Sequence, residues 1–138
     1  MWLVTGATGH IGNVLGRELL ARGEQVRALI LPGERCSSLE GLRIECVEGD
    51  VLDPLSLEKA FQGVDVVYHL AGIITIMPGK NELVTRVNYQ GTVNMLKAAR
   101  AAGVKRLVYT SSIHAFARVE GVVIDECIPL DPHNPEGE

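Results

Sequence analysis

The sequence predicts an α/β fold in which about five parallel strands form a doubly wound, three-layer sheet. Short apolar runs alternate along the 138 residues with longer segments of helical period, which is the pattern of repeated βα units. A glycine-rich turn follows the first apolar run, and Gly or Pro marks most of the later boundaries. With 46% hydrophobic residues the chain can bury one core, so we expect a single domain over residues 1–138.

The elements follow in order from the apolar periodicity and the turn residues. Strands are predicted at residues 1–5, 25–31, 43–48, 64–70 and 104–110, and the last two are apolar enough to be covered on both faces. Helices are predicted at residues 11–22, 53–63 and 82–102, with at most a short helix at residues 37–41. The faces expected to pack on the sheet consist of Ile11, Val14, Leu15, Leu19 and Leu20 in the first helix, and of Leu83, Val87, Val93, Leu96 and Ala99 in the longest.

Two smaller features complete the chain. Asp53 followed by Pro54 is a favourable N-cap and first position for the second long helix. Residues 119–124 favour one further short strand, and a proline-rich tail follows them.

Charge and composition exclude several classes of partner. The formal net charge of -4 and the lack of any Lys/Arg cluster argue against nucleic acid and anionic membranes, since both require concentrated positive charge. Cys36, Cys46 and Cys127 lack metal-ligand spacing and are expected to be buried or idle thiols, so no metal site is predicted. No run of 18 apolar residues occurs, and we expect a cytoplasmic protein.

The glycine-rich turn at residues 5–12 lies between the first strand and the first helix, which is the position of a dinucleotide-binding turn in a Rossmann-like fold. Gly6 can take a positive φ, Gly9 allows the backbone to approach a pyrophosphate, and Gly12 allows the helix to pack closely on the strand. The helix N-terminus then faces the anion. The G-x-x-G-x-x-G spacing leaves open a loop that needs glycine only for tight packing.

Residues 4–12, with the sequence VTGATGHIG, resemble the fingerprint of the extended short-chain dehydrogenase/reductase family, of the NAD-dependent epimerase/dehydratase and dihydroflavonol reductase type. The resemblance extends over the chain and corresponds to the N-terminal portion of such proteins, so a C-terminal substrate-binding part is expected to be missing. It implies NAD or NADP as cofactor. The residues it assigns to the cofactor in the turn are Gly6, Thr8, Gly9, His10, Ile11 and Gly12.

The same resemblance assigns roles beyond the turn. The Asp50 carboxylate, beside Val51, would accept from the adenine amino group, although Asp50 is also a natural turn-capping residue. The backbone of Leu70, Ala71 and Gly72 would pass under the adenine ribose. Asn88 would brace the site against that segment, whereas an Asn on a helix is ordinarily a solvated surface residue. At the end of the fifth strand, Thr110 would contact the cofactor and Ser112 would be the catalytic serine, or else a residue of the strand-end turn.

The chain departs from the family pattern in the catalytic pair. Family members add a Tyr-x-x-x-Lys pair after the serine, and no tyrosine of this chain has a lysine four residues later. The resemblance therefore predicts the NAD(P)-binding part of an enzyme that transfers hydride between nicotinamide and a carbonyl or hydroxyl carbon, inactive by itself. The alternative is a non-catalytic NAD(P)-binding sensor or interaction module.

Two expectations concern cofactor choice and assembly. At the end of the second strand Leu31 stands where an acidic residue would bind the ribose of NAD, and nearby Arg35 could reach the phosphate of NADP, which favours NADP. Glu34 beside Arg35 weakens that preference, and Arg35 could instead be a solvated loop residue. The fifth strand would lie at an apolar edge, which favours a homo-oligomer formed through that edge.

Overall fold

The computed structural model describes residues 1–74, 82–117 and 121–131 of the chain. Its strands are β1 (Trp2–Thr5), β2 (Val26–Ile30), β3 (Ile44–Glu48), β4 (Val66–His69) and β5 (Arg106–Tyr109). They form one parallel sheet in the order β3-β2-β1-β4-β5. The chain moves outward from β1 in one direction through β2 and β3, and then crosses back to add β4 and β5 on the other side. This order confirms the doubly wound sheet that the alternating pattern predicts.

The helices lie on both faces of the sheet. They are α1 (His10–Ala21), α2 (Pro54–Ala60), α3 (Glu82–Thr85) and α4 (Thr92–Ala101), and a π-helical segment, Arg86–Gly91, joins α3 to α4 without a break. Short 3₁₀ turns at Ser37–Leu39 and Ile113–Ala115 complete the regular structure of the described residues. Asp53 caps α2 as predicted, because its side chain accepts a hydrogen bond from the backbone N–H of Leu55.

Two hydrophobic clusters, one on each face, hold these layers together. Leu3 belongs to the cluster that includes Leu57 of α2 and Met95 of α4, whereas the next residue, Val4, belongs to the cluster that includes Leu19 of α1. Successive residues of β1 therefore enter opposite clusters, as the period-two alternation of a strand requires. All five of these side chains are buried, and the sheet has a core on each face.

The predicted packing face of the first helix is wrong in part. Leu19 is buried, but Ile11 and Val14 are each 60% exposed. The residues of α1 that are buried against the sheet are Gly12, Gly16 and Leu19. Glycine lets the helix axis come close to the sheet, and that closeness leaves Ile11 and Val14 on the outer side.

The predicted face of the long helix is also wrong in part, since Ala99 is buried and Val87 packs against the core but two of its other members are exposed. Leu83 and Leu96 are each 51% exposed, whereas Val84 and Met95 are buried. The π-helical segment places about one extra residue in a turn, so residues on either side of it no longer share one face at a 3.6-residue period.

Two expectations for the end of the chain also need correction. In β5, which lies at the sheet edge, Arg106, Val108 and Tyr109 are exposed, so this strand is not covered on both faces. Residues 121–124 of the predicted short strand form no strand, and its first two residues, 119 and 120, lie outside the described residues. The described part of the chain instead has an isolated antiparallel bridge between Phe116 and Leu130. No helix within the described ranges has the length and apolar character needed to cross a membrane.

Candidate functional site

The glycine-rich turn joins the carboxyl end of β1 to α1, as predicted. Gly6 has φ +66°, and a Cβ atom added there would lie 3.0 Å from the backbone nitrogen of Ala71. A Cβ added at Gly12 would lie 2.1 Å from the carbonyl oxygen of Gly6. The turn therefore requires glycine at Gly6 for backbone conformation and for close contact with the segment after β4, and at Gly12 for close packing of α1 on the turn itself.

The N-terminus of α1 is open toward this turn. Gly9 occupies the N-cap position, no side chain caps the helix, and its first turn carries no acidic residue. The first backbone N–H groups of a helix have no partner within the helix, and together with the helix dipole they favour an anion. Bare backbone at Gly9 leaves room for such an anion to approach.

A cavity of about 470 Å³ opens beside this helix end, at the carboxyl ends of the central strands. Its volume falls within the range of small-molecule and cofactor sites. It lies at the position where the strand order reverses, which is the usual ligand site of doubly wound sheets. The predicted binding residues that line it are Gly6, Thr8, Gly9, Asp50, Val51, Leu70, Ala71 and Gly72.

An acidic side chain, that of Glu34, lines the cavity at the carboxyl end of β2, a position that was not expected from the sequence. Pro32 and Gly33 form a turn in which the Glu34 N–H donates to the Leu31 carbonyl over 2.9 Å, and Gly33 has φ +77°. The turn carries the Glu34 carboxylate back to the strand end. There it accepts from the Leu31 N–H at 3.0 Å and from the Thr8 hydroxyl at 2.5 Å. A Pro-Gly turn followed by an acid was the signal in the sequence.

The carboxyl end of β3 contributes Asp50. Its Oδ1 accepts from the backbone N–H of Leu52 over 2.8 Å, so Asp50 caps the turn as well as lining the cavity. The carbonyl of Val51 accepts from the Asn94 side-chain amide over 2.9 Å. These contacts fix the Asp50 carboxylate at the cavity wall by attaching its loop to α4.

The segment after β4 is held by hydrogen bonds on two sides. The hydroxyl of Thr5 accepts from the backbone N–H of Leu70 at 3.1 Å and of Ala71 at 2.9 Å. On the other side the Asn88 side chain accepts from the Ile73 N–H over 2.8 Å and donates to the Ile73 carbonyl over 2.9 Å. Asn88 is half-buried within the π-helical segment, so its solvated alternative is wrong and its bracing geometry is present.

His69, at the end of β4, is a buried polar residue of this region, in contact with the equally buried Thr5. It is 1% exposed, with Nδ1 2.9 Å from the Thr5 hydroxyl and Nε2 3.0 Å from the Thr92 hydroxyl. Burial disfavours the charged imidazolium and lowers the pKa of His69 to about 4. A single histidine inside an apolar strand was the signal for it in the sequence.

The remaining predicted residues lie outside the cavity lining. His10, Ile11 and Arg35 are exposed, and so are Thr110 and Ser112. The Ser112 hydroxyl accepts from the His114 N–H at 3.2 Å, which caps a 3₁₀ turn. Residues that line the cavity but were not predicted to do so include Glu34, Leu52, Leu83 and Val87.

Comparison with known proteins agrees with this geometry. The chain matches the 3-beta hydroxysteroid dehydrogenase/isomerase family over residues 3–131. Sterol demethylase protein B of Methylococcus capsulatus is 46% identical over 113 residues, which are 82% of this chain and 34% of that protein. A putative dihydroflavonol 4-reductase of Synechocystis sp. is 40% identical over 114 residues, which are 83% of this chain and 33% of that protein.

The chain thus spans about a third of the length of these curated relatives. Among solved structures, a short-chain dehydrogenase/reductase superfamily protein from Agrobacterium tumefaciens with bound NAD has a TM-score of 0.84 at 34% identity, over 99% of this chain and 40% of that one. The glycine turn, the strand order and these matches agree, and the chain belongs to the 3-beta hydroxysteroid dehydrogenase/isomerase family of short-chain dehydrogenase/reductase proteins.

Proposed function

We propose that this chain is the dinucleotide-binding domain of an oxidoreductase or epimerase-type enzyme, and that it holds NAD by its diphosphate and adenosine. The observation that carries the proposal is the uncapped N-terminus of α1 behind a bare glycine turn, at the mouth of a cavity of about 470 Å³. The relative from Agrobacterium tumefaciens, which has NAD bound, supports the choice of ligand. The residues that would bind substrate are expected in the additional length of the relatives.

The diphosphate would lie against Gly6, Thr8 and Gly9. A Cβ added at Gly9 would come within 3.3 Å of the Gly6 carbonyl oxygen. Glycine at this position therefore avoids that close contact and leaves the surface of the turn free for a phosphate group. Backbone N–H groups of the turn and of the first turn of α1 would donate to the phosphate oxygens. No lysine or arginine is required for this, because the helix dipole and the N–H groups supply the positive potential.

The adenosine would lie between the ends of β2, β3 and β4. Asp50 would accept from the adenine amino group with the carboxylate oxygen that does not bond Leu52. Ala71 and Gly72 would offer bare backbone to the ribose, and Gly72 is confined by the Asn88 side chain, whose Oδ1 would lie 3.2 Å from an added Cβ.

Glu34 favours NAD over NADP. Its carboxylate, at the end of β2, is where a dinucleotide-binding fold accepts from the ribose hydroxyls of NAD, and its negative charge would repel the phosphate of NADP. Thr8 and Leu31 hold the carboxylate in place, and a ribose hydroxyl can replace the Thr8 hydroxyl as donor. Arg35 is exposed and outside the cavity lining, so the NADP preference expected from it becomes the competing hypothesis.

A bound nicotinamide would supply the hydride donor or acceptor. Ser112 remains the proposed catalytic serine, which would hydrogen-bond the reacting oxygen. Without a Tyr-x-x-x-Lys pair the chain has no residue at the family's position for proton transfer, and loss of general acid–base catalysis costs about 10²- to 10⁴-fold in rate. Residues 1–138 are therefore expected to bind dinucleotide without turning over a carbonyl substrate.

Isothermal titration calorimetry with NAD and NADP tests the proposal. We expect the chain to bind NAD more tightly than NADP. Glu34→Gln should reduce that preference about tenfold or more, because it removes a charge-assisted hydrogen bond. Glu40→Gln, which removes an exposed carboxylate outside the cavity lining, is the matched control and should leave the preference unchanged.

Three outcomes would contradict parts of the proposal. Failure to bind either dinucleotide would reject the binding function. Tighter binding of NADP, abolished by Arg35→Gln, would reject the role of Glu34 and establish that of Arg35. Turnover of a carbonyl substrate with reduced cofactor, well above buffer, would show that the chain is a complete catalyst. If the protein is a sensor module instead, residues 1–138 would still bind NAD, but the full-length protein would turn over no carbonyl substrate.

A further inference from the structure

His69 lies at the centre of a hydrogen-bond chain that crosses the sheet end. It pairs in register with Thr5 of β1 and Tyr109 of β5, and its ring is buried between the Thr5 and Thr92 hydroxyls. Beyond Thr5 lie the backbone N–H groups of Leu70 and Ala71. Beyond Thr92 lies the backbone carbonyl of Asn88, which accepts from the Thr92 hydroxyl over 2.7 Å.

The groups at the two ends of this series of hydrogen bonds determine where its protons lie. At one end, two backbone N–H groups donate to the Thr5 oxygen and occupy both of its acceptor sites, so the Thr5 hydroxyl hydrogen must donate to His69 Nδ1. At the other end, the Asn88 carbonyl can only accept, so the Thr92 hydroxyl donates to it and must accept from His69 Nε2. Both ends require the same neutral tautomer, with the proton on Nε2.

The π-helical segment provides the acceptor at the Asn88 end. In an α-helix the backbone N–H of Thr92 would donate to the carbonyl of Asn88, whereas the π-helical segment Arg86–Gly91 is defined by hydrogen bonds that reach five residues back instead of four. The Thr92 hydroxyl donates to the Asn88 carbonyl. The irregular turn of the helix and the buried histidine are thus parts of one network.

We propose that His69 is a positioning residue for the dinucleotide site: as the Nε2-protonated neutral tautomer it orients the Thr5 hydroxyl toward Leu70 and Ala71 and links them, through Thr92, to the turn that carries Asn88. The inference rests on the proposed function, because Leu70 and Ala71 line the proposed cofactor cavity. It adds a residue that does not itself line the cavity.

The contact with Gly6 shows how this positioning reaches the diphosphate site. The position of a Gly6 Cβ lies 3.0 Å from the Ala71 nitrogen and from the Leu70 carbonyl carbon, which is closer than ordinary van der Waals contact. A shift of the segment after β4 would therefore move the glycine turn. On the opposite side the same segment is held at Ile73 by Asn88. His69 is hydrogen-bonded to Thr5 on one side of this segment and, through Thr92, to the turn that carries Asn88 on the other.

Three substitutions separate the two ends of the network. His69→Asn places an amide oxygen near the position of Nδ1 and can still accept from Thr5, whereas His69→Gln places an amide N–H near Nε2 and can still donate to Thr92. His69→Leu removes both contacts. Tyr68→Phe, at the neighbouring half-buried position of β4, is the matched control because Tyr68 belongs to the opposite cluster with Trp2.

The first readout needs no ligand. Nitrogen-15 NMR of the imidazole should show a single tautomer with Nδ1 unprotonated, and amide hydrogen exchange should be slow at Leu70 and Ala71. Exchange there should become about tenfold faster in His69→Leu and His69→Gln, as one lost net hydrogen bond produces, and stay slow in His69→Asn and Tyr68→Phe. A proton on Nδ1, or slow exchange of both amides in His69→Leu or His69→Gln, would overturn the proposal. If His69→Leu does not fold, the comparison of amide exchange at Leu70 and Ala71 between His69→Gln and His69→Asn tests the proposal.

The second readout is the dissociation constant for NAD. We expect it to rise about tenfold in His69→Gln and to change less than twofold in Tyr68→Phe. If NAD affinity is unchanged in every His69 variant although exchange at Leu70 and Ala71 is faster, His69 does not position the site. If the unsubstituted chain binds no dinucleotide but the NMR results are as expected, the proposed function fails and the network around His69 stands.

Discussion

Replacement of Gly12 by alanine tests whether the glycine turn is packed as tightly as the structure indicates. A Cβ at Gly12 would lie 2.1 Å from the Gly6 carbonyl oxygen and 2.8 Å from the Ala7 Cα. Both atoms belong to the backbone of the turn, so no side-chain rotation relieves the overlap. The turn and the start of α1 must separate by about 1 Å to restore normal contact.

The expected cost follows from two opposing effects. Overpacking in a tight core costs about 1–3 kcal/mol, and backbone against backbone belongs at the upper end. Alanine recovers about 1 kcal/mol relative to glycine inside a helix. We therefore expect Gly12→Ala to lower the free energy of unfolding by about 2 kcal/mol, and the melting temperature by roughly 4 °C for each kcal/mol. Dinucleotide affinity should fall as well, because the Gly6 carbonyl and the turn are displaced.

Gly16 provides the matched control on the same helix. It is also buried, but a Cβ there would lie 3.2 Å from Ile44 Cδ1, the far end of a flexible side chain. Gly16→Ala should therefore be neutral or stabilising by up to about 1 kcal/mol. Urea denaturation followed by circular dichroism measures both variants. Equal losses in the two variants, or no loss in Gly12→Ala, would refute the steric reasoning.

Three further predictions follow from the same geometry. The pKa of His69 is lowered from 6.5 to about 4 in the folded state, so its contribution to the free energy of unfolding is constant above pH 6.5 and falls by about 1.4 kcal/mol per pH unit between pH 6.5 and 4, about 3 kcal/mol in all. Urea denaturation at several pH values should show this extra slope relative to His69→Asn, and equal slopes would contradict it. Asn88→Ala should lower the free energy of unfolding by about 1–3 kcal/mol, because it leaves the Ile73 N–H and carbonyl without their partners. An unchanged denaturation midpoint would show that water replaces the lost hydrogen bonds. Asp53→Ala should cost about 1 kcal/mol through loss of the α2 cap, and Asp53→Ser should restore most of it if capping is the cause.

Local sequence patterns were sufficient for the order of the elements. The alternation of apolar runs and helical segments predicted five parallel strands, and the turn between β1 and α1 was located by Gly6 and Gly12. The cap at Asp53 was predicted for a similar reason, since its hydrogen bond reaches only two residues along the chain. Interactions of this kind depend on neighbouring residues, so the sequence contains them directly.

Packing faces were harder to predict because they depend on what lies opposite. Ile11 and Val14 continue an apolar helical pattern, yet glycines form the inner face of α1 and both side chains are exposed. The π-helical segment moved Leu83 and Leu96 outward in the same way. Periodicity predicts an amphipathic helix, but the phase of the buried face depends on the distance to the sheet and on local irregularity.

The sequence by itself determined the order of the elements along the chain, the glycine turn and the family resemblance, because each depends on residue types at short spacings. Only the tertiary structure decided which distant side chains meet at the site. A Pro-Gly turn folds Glu34 back onto Leu31 and Thr8, and parallel pairing places His69 beside Thr5, 64 residues away in the chain. These contacts arise when separate strands align their carboxyl ends, and no short spacing in the chain encodes that alignment.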